Sequence, residues 1–507
     1  MKLIIPMSGQ GKRFVEKGYT DPKPLIKVDD GKPIIQRIIE LFPGITDIHC
    51  ICREQHLQET NMRKILTDLG ATIHTIEGHS LGPVYAVAHI FHTIADDEEV
   101  IVSYCDYGTV WDFEAFKSMI ATGAYDGVIA AYKGFHPHML WKDNYAFLRM
   151  TDQTTVAEVR EKEPFTDDRM AEYASNGTYY FRRGADLKKY FFATMDKGFS
   201  KNGEFYVSLV YNLMIADKLR IGVFEIEKML QWGTPRDYEE YMAWSRHFKR
   251  QRQTCNSVAT LILPMAGRGS RFQMVGYNDP KPLLKVRNEP MIVQAVNSLP
   301  DCTNKTFICL KEHLDKYPLV QTLKEKFPNC KIIDIPDVTE GQACTSNIGI
   351  EDLDDNTPIL ISACDNGVDF DADAYKRLEE DPTIDVIVWS FDNNPTSQLY
   401  PHMYAWLDTD PDLKIRRVSV KKHFPGARHA IIGTMFFRSA KIFREGYAKI
   451  LATNTRTNGE FYVDDLLNPL IDANYNVRAF PVISYLCWGT PNDYKTYNYW
   501  NEYFSGV

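Results

Sequence analysis

Several things are missing from this chain of 507 residues, and each absence removes a class of function. There is no basic excess: 58 Lys and Arg stand against 67 Asp and Glu, for a net charge of -9. Proteins that grip a nucleic-acid backbone carry the opposite balance, so no nucleic-acid partner is expected. No apolar run approaches the roughly 20 residues that cross a bilayer, so no membrane insertion is expected. The 10 cysteines are scattered, without a CxxC pair or a zinc-ligand spacing. That usage fits free thiols in a reducing compartment. Cys105 and Cys364 in particular sit in apolar runs, where a thiol packs as a small hydrophobe. Met1 leads almost at once into an apolar strand, which leaves no room for a secretory leader. A cytoplasmic location is the expectation.

What is present is an ample core and one stretch that occurs twice. Hydrophobic residues make up 44% of the chain and charged residues 25%, values of a globular protein. The length calls for at least two domains. Near the start the chain reads Leu3-Ile4-Ile5-Pro6-Met7-Ser8-Gly9-Gln10-Gly11-Lys12-Arg13-Phe14, then Gly18-Tyr19-Thr20-Asp21-Pro22-Lys23-Pro24-Leu25. Midway it returns as Leu261-Ile262-Leu263-Pro264-Met265-Ala266-Gly267-Arg268-Gly269-Ser270-Arg271-Phe272, then Gly276-Tyr277-Asn278-Asp279-Pro280-Lys281-Pro282-Leu283. Asp106 then matches Asp365, Glu204 matches Glu460 and Trp232 matches Trp488, all at nearly the same separation. A constant separation this long means two copies of one domain, not a solenoid of small units. The expected domains are residues 1–245 and 258–507, joined by a polar, basic linker over 246–257.

Each copy alternates apolar strands with amphipathic segments. In the first, strands are expected over Leu3–Met7, Ile48–Cys52, Thr72–Ile76, Val100–Tyr104 and Gly127–Tyr132, with helices such as Pro33–Phe42 and Val84–Ile94 between them. That pattern predicts an α/β fold with a mostly parallel sheet covered by helices on both faces. Ligands bind beyond the carboxyl ends of such strands. Gly9, Gly11 and Asp106 all follow strand ends and should face one crevice.

The glycines of the loop let the backbone approach a phosphate with no Cβ in the way, and Arg13 and Lys23 bring positive charge to the same place. A lone glycine loop is usually only a turn. Its coupling to Arg-Phe and Pro-Lys-Pro-Leu, twice in register, is far more specific. On these residues the chain resembles the sugar-phosphate nucleotidyltransferase (nucleotide-sugar pyrophosphorylase) family, marked by G-x-G-x-R-F and P-K-P-L. The branch found in capsule loci, with G-Y-x-D-P-K-P-L, is the closest in look.

The resemblance implies two tandem Rossmann-like nucleotidyltransferase (GT-A type) domains. They would join a nucleoside triphosphate to a sugar phosphate or related alcohol phosphate, with Mg2+ as cofactor, releasing pyrophosphate and feeding surface polysaccharide or glycoconjugate synthesis. It assigns the nucleotide phosphates to Met7, Ser8, Gly9 and Gly11, and to Met265, Ala266, Gly267 and Gly269. It makes Arg13, Lys23, Arg271 and Lys281 the charge-neutralising groups. Asp106 and Asp365 could be turn residues bonding their own backbone, or oxygen ligands of Mg2+; family position favours the metal. Asp112 and Asp371, six residues on, read as helix N-caps.

Elsewhere the chain departs from the family. A second metal aspartate is common near a W-x-D-x-G-T-P-like segment, but here Gln231-Trp232-Gly233-Thr234-Pro235 and Cys487-Trp488-Gly489-Thr490-Pro491 carry no carboxylate. On the acceptor side, Glu161 and Lys162 resemble the family's E-K-P element, and Val420-Lys421-Lys422-His423 keeps a lysine, assigned to Lys422, but no glutamate. Asn176 and Gly177, with Gly433 in the second copy, belong to the same side. Glu204 and Glu460 could bind acceptor hydroxyls or simply sit at a helix N-terminus beside the positive dipole end. Base recognition falls to Gly82 in one copy and to Gly341 and Gln342 in the other. These loops differ, so the copies are expected to be non-equivalent. The histidine pairs His138/His402 and His56/His313 read as core or surface residues. Two other readings stand beside the leading one: a GT-A glycosyltransferase that consumes a nucleotide sugar, and a chain in which one copy is a non-catalytic nucleotide-binding scaffold. The glycosyltransferase would want a D-x-D-like acid pair, which Asp106-Tyr107-Gly108 and Asp365-Asn366-Gly367 lack. A homo-oligomer is open.

Overall fold

The computed structural model describes residues 1–141, 144–392, 397 and 399–506. The chain divides at Arg246/His247 into two units, Met1–Arg246 and His247–Val507, each with its own sheet. Among the described residues no helix is long and apolar enough to cross a membrane.

The first unit is built on β1 (Lys2–Pro6), β2 (Asp47–Arg53), β3 (Thr72–Ile76), β4 (Val100–Ser103), β5 (Tyr107–Val110), β6 (Gly127–Tyr132), β7 (Ala146–Met150), β8 (Val156–Glu161), β9 (Tyr173–Phe181), β10 (Ile221–Glu225) and β11 (Lys228–Gln231). The main sheet runs β10-β6-β9-β4-β1-β2-β3, and the β7–β8 hairpin pairs through β7 with β9. Pairings among β4, β1, β2 and β3 are parallel, as is β6 with β10. The expected parallel order is broken by β9 alone on this path, which lies antiparallel between β4 and β6. The sheet is therefore mixed. Strand β9 escapes sequence reading because Ser175-Asn176-Gly177 sits in its middle and looks like a turn. The register with β6 shifts there, from Ile129↔Tyr179 to Ala131↔Ser175, and Gly177 takes φ +100°. An extra residue in one strand is a bulge, and glycine tolerates the backbone it requires.

The second unit repeats the order. Lys331–Ile335, Lys305–Leu310, Thr260–Met265, Ile359–Ile361, His429–Phe437, Val386–Phe391 and Val477–Pro481 lie side by side in that sequence. A register shift recurs beside Gly433, which has φ +79°. Alternate residues of one strand enter different cores: Leu261 and Leu263 pack with Trp389 and Phe436, while Ile262 packs with Phe443 and Leu467. Both faces of the sheet are thus covered, as period-two side-chain alternation requires.

Off the main sheets, one short antiparallel ribbon recurs in both units, β5 with β11 and Asn366–Asp369 with Ser484–Cys487. Each bonds the chain just after the aspartate to the Trp-Gly-Thr-Pro segment. Asp112 and Asp371 cap the following helices as expected, accepting from Ala115 N–H (2.8 Å) and Ala374 N–H (2.9 Å).

Candidate functional site

In the first unit the carboxyl end of β1 opens into the glycine loop. Gly11 adopts φ +62° and starts a short helix, Lys12–Glu16, that carries Arg13 into solvent. Lys23 begins a 3-10 turn, Lys23–Leu25, and its Nζ reaches Asp106 Oδ2 at 2.7 Å. Burial works against the Lys23 ammonium, but the Asp106 carboxylate outweighs it and holds the pKa above its ordinary value. The lysine is a fixed cation.

A cavity of about 390 Å³ lies over these groups. Met7, Ser8, Gly9, Gly11, Arg13, Lys23 and Asp106 line it, together with Gly82, Glu204 and Tyr206. The loop after β3 and the hairpin bearing Glu204 are tied together: Phe205 N–H donates to Leu81 O (2.9 Å) and Val84 N–H to Phe205 O (3.2 Å). Gly82 has φ +86°, and a methyl group on it would lie 2.8 Å from the Phe205 backbone. Only glycine fits that approach.

Two residues missed by sequence reading belong here. His79 lies 3.1 Å through Nε2 from Ser8 Oγ, and its Nδ1 accepts from Leu81 N–H at 3.2 Å. Burial first, then the His89 and Arg53 charges, lower its pKa, so a neutral imidazole carries its proton on Nε2 and donates to Ser8. Tyr206 donates to Glu204 and is approached by Lys162, whose Nζ lies 4.5 Å from its ring centre. The repeated Asn-Gly-Glu-Phe-Tyr-Val segment was the available signal for this tyrosine.

Glu161 and Lys162 do not line the cavity; Lys162 connects to it through Tyr206. The Glu161 carboxyl is buried and accepts from Ser208 Oγ at 2.6 Å. Burial pushes its pKa up to about 7, against the Ser208 hydrogen bond and the Lys162 charge. Asn176 is held in the β9 bulge, accepting from Thr178 N–H (2.9 Å) and donating to Thr109 Oγ1 (3.2 Å). The Gly177 carbonyl accepts from Tyr104 N–H at 2.9 Å.

Asp106 has a neutral oxygen in its neighbourhood. A methyl group on Gly233 would lie 3.1 Å from both Asp106 Oδ2 and Gln231 Oε1. Hard oxygen donors of this kind suit Mg2+, which takes one or two carboxylates and leaves positions for substrate phosphates. Among the described residues no group of three or more His, Cys, Asp or Glu could hold a metal.

The second unit keeps the framework. Met265 and Ala266 are buried at the end of their strand, Gly267 is exposed, and Gly269 takes φ +66°. Arg271 is exposed, and Lys281 pairs with Asp365 and donates to the Gly489 carbonyl (3.1 Å). Gly341, just before Gln342, allows a still closer contact than Gly82, since a methyl there would lie 2.5 Å from the Phe461 backbone. The backbone ties recur, Phe461 N–H to Glu340 O (2.9 Å) and Ala343 N–H to Phe461 O (3.0 Å), and charge is added to them: Arg268 pairs with Asp337 at 2.7 Å, and Arg456 with Glu340. In place of Gln231 stands Cys487, whose Sγ donates to Asp493 Oδ2 at 3.3 Å. Lys421, not the exposed Lys422, takes φ +57° as Lys162 does and lies 5.2 Å from the ring centre of Tyr462. Glu460 follows an Asn-Gly turn, as Glu204 does, with Asn458 at φ +51° and Asn202 at φ +53°.

Of the histidines, His138 is buried and bonded to Tyr132 (2.9 Å), and His313 is buried as well. All 10 cysteines are free, with Cys105 buried and Cys364 half-buried.

Residues 3–162 match the model of the MobA-like NTP transferase domain. Among solved structures, a nucleoside-diphosphate-sugar pyrophosphorylase from Vibrio cholerae RC9 is 21% identical and matches 47% of this chain and 99% of its own, with TM-score 0.39. A UDP-glucose pyrophosphorylase complexed with UDP-glucose is 17% identical over 49% of this chain and 99% of its own, TM-score 0.40. An inositol-1-phosphate CTP transferase from T. maritima is 17% identical over 48% and 96%, TM-score 0.38. No curated protein matches the chain.

Proposed function

We propose that the first unit transfers a nucleotidyl group from a nucleoside triphosphate to a sugar phosphate or related alcohol phosphate, releasing pyrophosphate. The observation that carries this reading is the cavity itself: a glycine loop, Arg13, Lys23 and Asp106 face the Glu204–Tyr206 hairpin across one space. A phosphate oxygen of the acceptor attacks the α-phosphorus in line, and the bond from that phosphorus to the bridging oxygen breaks. Pyrophosphate leaves with the electron pair. Phosphoryl transfer needs positioning and charge neutralisation more than covalent chemistry. Arg13 and Lys23 supply fixed positive charge, the loop N–H groups cradle the phosphates, and Glu204, oriented by Tyr206, faces the acceptor hydroxyls.

Asp106 and the Gln231 amide oxygen are the groups that would hold Mg2+, which neutralises triphosphate charge when bound. The second unit offers Asp365 with a thiol in place of the amide, a poorer donor for a hard cation. We assign it the same reaction class with a different acceptor or a weaker rate. The products would serve surface polysaccharide or glycoconjugate synthesis, from the cytoplasm.

The test is pyrophosphate release with Mg2+, across ATP, CTP, GTP, UTP and dTTP against a panel of sugar and polyol phosphates. Release that needs one triphosphate and one acceptor supports the reading and names the substrates. Silence across the panel, with a nucleotide sugar consumed instead, overturns it in favour of a glycosyltransferase.

A further inference from the structure

The second unit looks deficient on its acceptor side, because Val420 stands where the first unit has Glu161. The way helix docks on strand says otherwise. In the first unit the helix Val207–Ala216 is locked to β8 by Asn212, whose side chain accepts from Val159 N–H (2.8 Å) and donates to Val159 O (2.8 Å). In the second unit Asn468 makes the same pair of bonds to Val418, both at 2.9 Å. The seam between helix and strand therefore has one register in both units.

Register fixes which residues face each other. Four residues before Asn212 is Ser208, and two after Val159 is Glu161; their side chains meet at 2.6 Å. Four residues before Asn468 is Asp464, and two after Val418 is Val420. The helical segments begin alike, after Tyr206 (φ -90°, ψ 142°) and Tyr462 (φ -86°, ψ 150°), although the second opens with a 3-10 turn, Val463–Leu466. So Asp464 holds, on the helical segment, the position that Ser208 holds in the first unit. Lys421 Nζ donates to the Met403 carbonyl and lies 5.2 Å from the ring centre of Tyr462, the residue that opens the helical segment of Asp464; burial lowers its pKa, against the Asp464 charge. The neighbouring Asp465 has a separate structural task, accepting from Thr457 Oγ1 (3.1 Å) and Tyr462 N–H (3.4 Å).

We propose that Asp464 is the acceptor-side carboxyl group of the second unit, supplied from the helix instead of the strand, and that with Lys421 it binds a hydroxylated phosphate ester. The inference rests on the nucleotidyl-transfer reading for the class of ligand. Lys421 takes the phosphate, as a point charge over the Tyr462 ring, and Asp464 accepts from a hydroxyl. An aspartate carboxyl, one methylene shorter than a glutamate's and coming from the helical segment instead of the strand, selects a differently shaped acceptor. Asp464 is thus a specificity-determining residue.

The experiment uses the full chain with the first unit's acceptor groups removed, Glu161→Ala and Lys162→Ala with Glu204→Ala. Thermal shifts are read with glucose 1-phosphate, mannose 1-phosphate, glycerol 3-phosphate and ribitol 5-phosphate, and with inorganic phosphate as control. At least one ester raises Tm more than inorganic phosphate does. Asp464→Ser removes that difference, Asp464→Asn weakens the ester at least fivefold, and Val420→Glu with Asp464→Ser restores it by returning the carboxyl group to the strand. The proposal is overturned if no ester exceeds inorganic phosphate, if Asp464→Ser and Asp464→Asn keep the full shift, or if the relocated carboxylate restores nothing. Binding needs no turnover, so failure of the pyrophosphate assay would sink the proposed reaction without altering this readout.

Discussion

Beside Asp106 the first unit places the amide oxygen of Gln231; beside Asp365 the second places the thiol of Cys487. Next to the asparagine lock the first unit pairs the strand carboxyl Glu161 with Ser208, and the second unit has Asp464, the carboxyl proposed above for its acceptor, at the Ser208 position. The loops are joined through Ser8 and His79 in one and through the Arg268–Asp337 and Arg456–Glu340 pairs in the other. Against this, the lysine–aspartate pair, the αL glycine that starts the short helix, and the strand order are the same. On the proposed function, the parts assigned to triphosphate charge are held in common and the parts assigned to the acceptor differ. That reading predicts two sites of one reaction class with separate acceptors.

The largest test of it removes each cation in turn. Lys23→Ala and Lys281→Ala should each lower kcat by about 100-fold or more, the usual effect of losing one charge-stabilising donor. Assayed separately, each should silence one triphosphate–acceptor pair and leave the other within about twofold. Equal losses on one substrate pair would break the comparison.

Next come the close glycines. Gly82→Ala and Gly341→Ala force a Cβ into φ +86° and +143° backbones, 2.8 and 2.5 Å from facing main chain. Each should cost about 1–3 kcal/mol in the unit that bears it, with the second unit the more sensitive. Urea unfolding, followed with tryptophan fluorescence, measures both.

Adding the missing acid sharpens the metal contrast. Gln231→Asp should lower the Mg2+ concentration for half-maximal activity by about tenfold, through one more ligand charge. Cys487→Asp should do more, since it replaces a thiol. An unchanged Mg2+ dependence in both would show that these positions do not reach the metal.

The smallest effect is in pH. Glu161 is raised from 4.5 to about 7 and Asp464 from 3.8 to about 6, in each case first by burial. A raised carboxyl pKa favours the protonated folded form, so that contribution is complete below the unfolded value and is lost as pH rises through the folded one. Relative to Glu161→Gln, the parent should lose Tm between about pH 4.5 and 7; relative to Asp464→Asn, between about pH 3.8 and 6. Coincident windows would argue against two distinct carboxyl sites.

Much of this was legible in the sequence because strand, glycine loop and lysine are contiguous or nearly so. The strand expected over Leu3–Met7 forms one residue earlier, as Lys2–Pro6, and Thr72–Ile76 and Gly127–Tyr132 stand as expected. Helix Val84–Ile94 proved shorter, Pro83–Ala88 followed by a 3-10 turn at Phe91–Thr93. Strand β9 was hidden by its bulge, and its Asn176 serves the backbone there. His79 has no motif around it. Asp464 was invisible for a different reason: a residue-by-residue match of the copies compares Glu161 with Val420, and a group that has moved to another element leaves no mark at the old position. Only the asparagine lock reveals it.

The bonds between Leu81, Val84 and Phe205 carry a final consequence. The loop after β3 and the hairpin bearing Glu204 cannot separate without breaking them. On the proposed function, a substrate that steadies one surface steadies the other, and linkage makes the effect mutual: each substrate tightens the other by one and the same factor.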